Sequence, residues 1–165
     1  MPTIALINGH AFAGGLMAAM HHDYRIFNPT RGFVCINELD FGVGLRAPMS
    51  SIFRQKVSPQ TYRSLVLEAK RFGGKEALEA GIVDGLGGLD EALKLVEERN
   101  LVKMPKTGIY GVMKAEMYRE SIAYLGDKAG DDKLVVERMN EEDKRKEEGR
   151  KRVADWERNA VKAKL

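Results

Sequence analysis

The hydrophobic pattern near the start of the chain predicts a buried strand that leads into a buried helix. Residues 3–8 (TIALIN) form an aliphatic run of strand length, and Asn8-Gly9 at its end is a turn signal. Residues 16–20 are good helix formers with almost no polar face. Two adjacent glycines, Gly14-Gly15, stand between these elements. The pattern therefore predicts a strand, a bend and a helix in that order.

Farther along the chain, the pattern predicts two more strands and then a succession of helices. The strands are predicted at residues 23–27 and 33–36, on either side of a turn that contains Pro29 and Gly32. Ser58-Pro59 is a typical helix start, because serine caps the first turn and proline fits its first position. The predicted helices cover residues from 47 onward, 59–69, 75–80, 89–99, about 109–125 and 131–165, with a brief extended piece at 82–84.

Composition and charge exclude several classes of partner. The 165 residues are 44% hydrophobic, which is enough for one domain with a real core. The 27 basic and 24 acidic residues give a net charge of +3, and acids cancel the bases in the charged segment 141–152. No apolar run approaches the ~18 residues of a membrane span. We therefore expect neither nucleic acid nor a membrane as a partner.

Cysteine and histidine usage argues against a metal site. Cys35 is the only cysteine, so an internal disulfide cannot form and the thiol is predicted to fill buried space. His10, His21 and His22 lack the further histidine or cysteine that a tetrahedral set requires. We therefore predict no metal and assign these histidines structural or surface roles.

The glycine pair has a chemical interpretation and a purely structural one. A helix N-terminus presents unpaired N–H groups and a partial positive charge, and Gly14 and Gly15 would let a ligand approach the backbone closely. Such a turn can hold an anion. Alternatively, the glycines only allow the helix to pack tightly against the strand. The glycines alone leave both alternatives open.

A polar island at residues 37–40 interrupts an apolar region and contains Glu38. Apolar surroundings fit a carboxyl group for proton transfer, because they disfavour its charged form. The alternative is an acid exposed on a loop. The apolar residues that flank the island in sequence are Phe33, Ile36, Phe41 and Leu45.

Several ordered motifs occur together in the first hundred residues. They are Asn8-Gly9 ahead of Ala13-Gly14-Gly15, the apolar helix that ends in Asp23-Tyr24-Arg25, and residues 37–42 (NELDFG). Residues 77–84 (ALEAGIVD) follow. This combination resembles the crotonase (enoyl-CoA hydratase/isomerase) superfamily, and within it the Δ3-Δ2-enoyl-CoA isomerases. The resemblance extends from residue 2 to at least residue 100.

The resemblance implies an α/β fold, a partial crotonase-like spiral of ββα turns with C-terminal helices. Residues 1–100 would form the spiral core, and residues 101–165 a helical region that mediates oligomerisation. The implied assembly is a homotrimer or a dimer of trimers. The implied substrate is a fatty acyl-CoA thioester. Since CoA enters only as part of that substrate, no separate cofactor is expected.

The resemblance also assigns roles to residues of a site. The Gly14 N–H matches the second of two backbone donors that hold the thioester oxygen, where they stabilise the negative charge of an enolate. Glu38 matches an acid/base carboxylate of the family. The implied substrate-binding residues are Ala11, Phe12, Ala13, Gly14, Gly15 and Asn37.

Met17 occupies the position of a second family carboxylate and cannot move a proton. Hydratases need both carboxylates, because one activates water while a proton is delivered to carbon. We therefore expect an isomerase of fatty-acid β-oxidation that shifts a 3-enoyl-CoA double bond to the 2-trans position, with Glu38 as its single base. Dienoyl-CoA isomerases use further acids, and Met17 and Arg46 stand near those places.

The chain begins where the middle of the family's sequence begins. We therefore expect the family's N-terminal portion to be absent, and with it the first oxyanion donor. Loss of one donor typically costs ~2.7–4 kcal/mol of transition-state stabilisation. The alternative function is a truncated, non-catalytic subunit that binds acyl-CoA or oligomerises without turnover.

The chain ends in Ala163-Lys164-Leu165, which is close to the Ser-Lys-Leu type of peroxisomal address. Tripeptides of this kind also arise by chance. Peroxisomal members of the crotonase superfamily, which this chain resembles, commonly end in such a tripeptide. We therefore expect a peroxisomal import receptor as a partner and the peroxisome as the location.

Overall fold

The computed structural model describes residues 1–126 and 128–162. The chain divides into two compact units, and the boundary between them lies between residues 127 and 128. The sequence division was placed at residue 100, so the helices between residues 101 and 126 fall in the first unit. The role of residues 101–165 in oligomerisation stays a prediction.

Two small parallel sheets form the framework of the first unit. Strand β1 (Ile4–Ile7) pairs with β3 (Tyr24–Phe27), and β3 pairs with β5 (Gly85–Leu86). A second sheet consists of β2 (Ala11–Phe12) and β4 (Val34–Cys35). The three strands predicted before residue 37 are confirmed with shorter bounds. Strand β2 was not predicted, because two residues carry no periodicity.

Most of the remaining described residues are helical. The Ser58 hydroxyl accepts a hydrogen bond from the Thr61 N–H at 3.1 Å, which confirms the predicted helix start at Pro59. Residues 38–41, most of which belong to the polar island, form one helical turn. The helices are α1 (Gly14–Met20), α2 (Glu38–Phe41), α3 (Ala47–Lys56), α4 (Pro59–Leu67), α5 (Gly74–Glu79), α6 (Leu89–Glu98), α7 (Tyr110–Met117), α8 (Arg119–Gly126) and α9 (Lys128–Lys162), with a 3-10 turn at Met104–Thr107.

The apolar core of the first unit lies on both faces of the β1-β3-β5 sheet. Neighbouring residues of a strand point to opposite faces, and Phe27 and Ile26 accordingly enter different clusters. The smaller cluster combines Ile26 with residues of α6 and with Leu101. The larger cluster combines Phe27 with fully buried residues that include Leu16, Met20, Val34, Ile52, Phe53, Leu65, Ala77 and Ile82.

The extended piece predicted at residues 82–84 is wrong. The strand in this region is β5, which begins three residues later, at Gly85. The Ile82 carbonyl accepts a hydrogen bond from Arg25 Nε at 2.7 Å instead of joining the sheet. The sheet pairing begins at Gly85, where an added β-carbon would lie 2.8 Å from Ile26 Cδ1. A side chain at position 85 would therefore require the end of the buried Ile26 side chain to move.

The single helix predicted at about 109–125 is wrong, since the chain breaks between α7 and α8 at Tyr118. The Tyr118 side chain is buried in the core, and Lys56 Nζ lies 4.9 Å from its ring centroid. Beyond the break, the buried hydroxyls of Ser51 and Ser121 share a 2.8 Å hydrogen bond between α3 and α8. Tertiary packing thus overrides a continuous helical pattern.

A buried arginine joins β3 to the segment that precedes β5. The Arg25 side chain is only 4% exposed, and its Nη2 contacts Asp84 Oδ2 at 2.8 Å. Its Nη1 donates to the His22 carbonyl at 3.1 Å, in addition to the bond from Nε to Ile82. The backbone N–H of Asp84 donates to the Arg25 carbonyl at 2.8 Å. Hydrogen bonds in both directions therefore fix the two segments together.

The second unit contains α9, a long helix rich in charges of both signs. Glu147 contacts Arg150 and Lys151 one turn along the helix, at 3.7 Å each. Other exposed pairs have the same spacing, and the helix predicted at residues 131–165 is confirmed as far as residue 162. None of the described helices combines the length and the apolar content that a membrane span requires.

Ala13, between β2 and α1, adopts a backbone conformation that glycine favours. Its φ is 48° and its ψ is −124°. Two hydrogen bonds hold the turn in place: the Ala13 N–H donates to the Cys35 carbonyl, and the Ala13 carbonyl accepts from the Met17 N–H, both at 3.0 Å. The turn ahead of α1 is therefore strained and stabilised by its surroundings.

Replacement of Arg25 by alanine should lower the free energy of unfolding by about 3 kcal/mol, because the Asp84 carboxylate and two carbonyls lose their donor. Urea denaturation followed by circular dichroism measures this loss. Arg54→Ala is the matched control, since its ion pair with Glu120 (2.9 Å) is exposed and should contribute little. Equal losses in the two variants would contradict the proposed importance of the buried arginine.

Replacement of Ala13 by glycine should raise the free energy of unfolding by about 1 kcal/mol, because glycine relieves the strain at positive φ. Thermal and urea unfolding of the variant measure the gain. Ala5→Gly in β1 is the control, since glycine in a strand with ordinary φ should only lower stability. A loss of stability in both variants would mean that the turn is not strained.

Candidate active site

The pairing of β2 with β4 brings two predicted site segments to one edge of a sheet. Ala11 lies opposite Val34 and Phe12 opposite Cys35 in a parallel register. The turn with the glycine pair directly follows β2, and the segment with Glu38 follows β4 after two residues. Because parallel strands run in the same direction, both segments leave the sheet at the same end.

Gly14 is the first residue of α1 and is exposed. The first N–H groups of a helix have no acceptor within the helix, and Ala13 at the cap position offers no capping side chain. The first turn of α1 contains no acidic residue, so its partial positive charge is not neutralised there. The turn therefore presents backbone donors that suit an oxygen atom bearing negative charge.

Glu38 opens the short helix α2 and is half-buried. Its Oε2 is buried and has no hydrogen-bond partner among the described residues. The Glu38 carbonyl accepts the Val43 N–H at 3.0 Å, and Gly42 ends the helix in the left-handed conformation at φ 66°. A closed backbone turn therefore holds a carboxylate that still has an unused acceptor.

Gly14 and Glu38 line one pocket of about 270 Å³. The structure thus brings together the two residues predicted to act in catalysis, and their roles stay predictions. Most of the other lining residues are apolar, and Arg46 adds a positive charge. They are Met17, Val43, Gly44, Leu45, Arg46 and Met49.

The other predicted substrate-binding residues lie in several places. Ala11 and Gly15 line a different groove, of about 440 Å³, between β1 and α1. Phe12, Ala13 and Asn37 line neither of these two cavities. Asn37 Oδ1, one residue from Glu38, is buried and has no hydrogen-bond partner in the part of the chain that the structure describes.

Sequence reasoning missed the contribution of Met49 and of the loop at residues 43–45 to the pocket. Met49 lies in the first turn of α3, where its N–H donates to the Arg46 carbonyl at 3.1 Å. Its thioether methyl lies 3.8 Å from the position that a β-carbon on Gly14 would occupy. For the loop, Gly42 and Gly44 were the available signal, because they mark a tight turn directly after the polar island.

Cys35 lies in the core beside this site and is fully buried, as predicted. Burial raises the pKa of its thiol, and the positive charge of Arg71 only partly offsets this effect. The thiol is therefore protonated at neutral pH and supplies no thiolate nucleophile. The described residues contain no cluster of three histidine, cysteine or carboxylate side chains that could hold a metal ion.

His10 and His21, for which structural or surface roles are predicted, both contact the backbone. The Phe33 N–H donates to His10 Nδ1 at 3.1 Å, and His21 Nδ1 lies 2.8 Å from the Met17 carbonyl. Each imidazole ring therefore has one nitrogen engaged with a backbone group. The predicted targeting residues Ala163, Lys164 and Leu165 lie outside the described residues.

Known proteins resemble this chain over most of its length. A sequence model of the family described as Enoyl-CoA hydratase/isomerase matches residues 1–159. "Enoyl-CoA delta isomerase 2, peroxisomal" of Arabidopsis thaliana is 33% identical over 132 residues, which cover 76% of this chain and 55% of that protein. "Enoyl-CoA delta isomerase 3" of the same plant is 36% identical over 126 residues, covering 73% and 53%. The chain thus spans about half the length of the curated relatives it matches.

The solved structures include an enoyl-CoA hydratase from Mycobacterium marinum with a similar fold. It superposes with a TM-score of 0.61 at 25% identity, over 75% of this chain and 54% of that one. This likeness confirms the predicted α/β, crotonase-like fold. By its sequence match and its fold, the chain belongs to the enoyl-CoA hydratase/isomerase family.

Proposed function

We propose that the pocket of Gly14 and Glu38 isomerises a 3-enoyl-CoA to the 2-trans-enoyl-CoA in fatty-acid β-oxidation. The observation that carries this proposal is that Glu38, in the same pocket as the glycine turn, has a buried Oε2 with no hydrogen-bond partner among the residues described. An acceptor without a partner can take a proton from a bound carbon acid. The names of the two Arabidopsis relatives support the same reaction.

The reaction needs one base and one site for negative charge. Glu38 removes a proton from C2 of the 3-enoyl thioester, and the electron pair moves into the carbonyl to give a dienolate. The Gly14 N–H donates to the dienolate oxygen, and the positive end of α1 stabilises its charge. Glu38 then returns the proton at C4. The double bond now lies between C2 and C3, and no atom is gained or lost.

The composition of the pocket favours isomerisation over hydration. Glu38 is the only carboxylate among the described residues that line it. The Met17 side chain occupies the α1 wall, is 3% exposed and cannot exchange a proton. Addition of water would need a second acid or base, whereas a proton shift between C2 and C4 needs only one.

Replacement of Glu38 by glutamine should lower kcat/KM for 3-enoyl-CoA by about 10²- to 10⁴-fold, because the amide keeps the shape of the side chain but cannot act as a base. Ultraviolet absorbance of the conjugated 2-enoyl thioester measures the rate. Asp40→Asn is the matched control, since Asp40 lies on the same helix but is exposed and does not line the pocket.

The same assay separates the alternatives. A Glu38→Gln variant with the wild-type rate would exclude Glu38 as the base. A folded wild-type chain that binds acyl-CoA without converting it would support the non-catalytic, acyl-CoA-binding subunit instead. Circular dichroism of all three proteins shows whether a lost rate reflects lost chemistry or lost structure.

We further propose that the protein is directed to the peroxisome by Ala163-Lys164-Leu165. One of the two Arabidopsis relatives is named peroxisomal, which supports this location. An N-terminal fluorescent fusion of the chain should colocalise with a peroxisomal marker, and deletion of Leu165 should disperse it. A fusion whose location does not change on deletion of Leu165 would contradict the proposed address.

A further inference from the structure

Met49 lies directly over the glycine turn of the candidate active site. Its thioether methyl is 3.8 Å from the position of a β-carbon on Gly14, which is ordinary van der Waals contact. The side chain lines the same pocket as Gly14 and Glu38. It is 38% exposed, and its unbranched chain has three rotatable bonds. Met49 can therefore adjust its position, and in the structure it fills volume next to Gly14.

Met17, which also lines the pocket, cannot move in the same way. Met17 follows Gly14 by three residues on α1 and is packed in the larger core cluster. Its side chain has no space to withdraw from the pocket, because protein cores are closely packed. The width of the pocket beside Gly14 therefore depends on the position of the Met49 side chain.

The chemistry of the pocket determines which substrate atoms meet Met49. A thioester oxygen bound at the Gly14 N–H places C2 between Gly14 and Glu38, because the carboxylate must reach the C2 proton. The Met49 methyl lies 3.8 Å from the place where a β-carbon on Gly14 would be, so we expect it beside C2 rather than beside the distal end of the acyl chain. A substituent on C2 would need the volume that the Met49 side chain fills.

We infer that Met49 restricts this site to acyl groups without a branch at C2. The inference rests on the proposed function, since it assumes that a thioester binds at Gly14. It makes Met49 a residue that determines substrate specificity, although its thioether takes no part in the proton transfer. Truncation of Met49 to alanine removes three heavy atoms next to C2 and should admit a methyl branch there.

The test compares the binding of hexanoyl-CoA and 2-methylhexanoyl-CoA by isothermal titration calorimetry. The wild-type chain should bind the branched thioester at least about tenfold more weakly, which is the usual discrimination for one methyl group in a fitted apolar pocket. In Met49→Ala, this ratio should fall to about twofold. Both ligands are saturated, so the measurement does not require turnover.

Two control variants distinguish an effect of the side-chain volume at position 49 from a general effect of replacing a methionine. Met49→Leu keeps most of the side-chain volume and should retain the discrimination. Met113→Ala removes an exposed methionine of α7 that does not line the pocket, and its binding ratio should equal that of the wild type. Discrimination that is absent from the wild type, or that survives in Met49→Ala, would overturn the inference.

The result can be distinguished from a failure of the proposed function. If neither thioester binds to the folded wild-type chain, both the proposed function and the inference are wrong. If Met49→Ala loses the discrimination while Glu38→Gln keeps its full rate, the base is wrongly assigned and the inference about Met49 stands.

Discussion

The parallel pairing of β2 with β4 is the constraint on which the candidate site depends. Each strand has only two residues, yet their register places the glycine turn and the segment of Glu38 at the same end of one small sheet. The hydrogen bond from the Ala13 N–H to the Cys35 carbonyl extends that pairing into the turn itself. A slip of one residue would turn the side chains of β2 to the opposite face and would move Gly14 away from the pocket.

The two short helices that begin at this edge present opposite charge to the pocket. Helix α1 opens with glycines and has no acid in its first turn, so its backbone dipole is available to a ligand. Helix α2 opens with Glu38, whose carboxylate supplies the negative charge. Because the intervening walls are mostly apolar, both charges act through a medium that screens them less than water does. In the proposed reaction, this arrangement would separate the stabilisation of an oxyanion at α1 from proton transfer at Glu38.

The elements with a clear local signal could be predicted from sequence, and those defined by long-range contacts could not. The aliphatic run of β1, the apolar α1 and the Ser58 cap each have a signature within a few residues, and all are confirmed. Strand β2 is too short for periodicity, and the break at Tyr118 arises from packing against the core. Gly14 and Glu38 were identified through a family resemblance. Met49 was missed because an apolar residue at a helix start carries no functional signal.

The bonds between Arg25 and Asp84 have a consequence for synthesis of the chain on the ribosome. The two residues are 59 positions apart, so their contact closes a long loop at an entropic cost. Until Asp84 has emerged, Arg25 must stay hydrated, and β3 has no partner on the side that β5 later occupies. The nascent chain therefore cannot complete this sheet before Leu86, the last residue of β5, has been translated. Over that interval it exposes an apolar strand edge that chaperones can recognise.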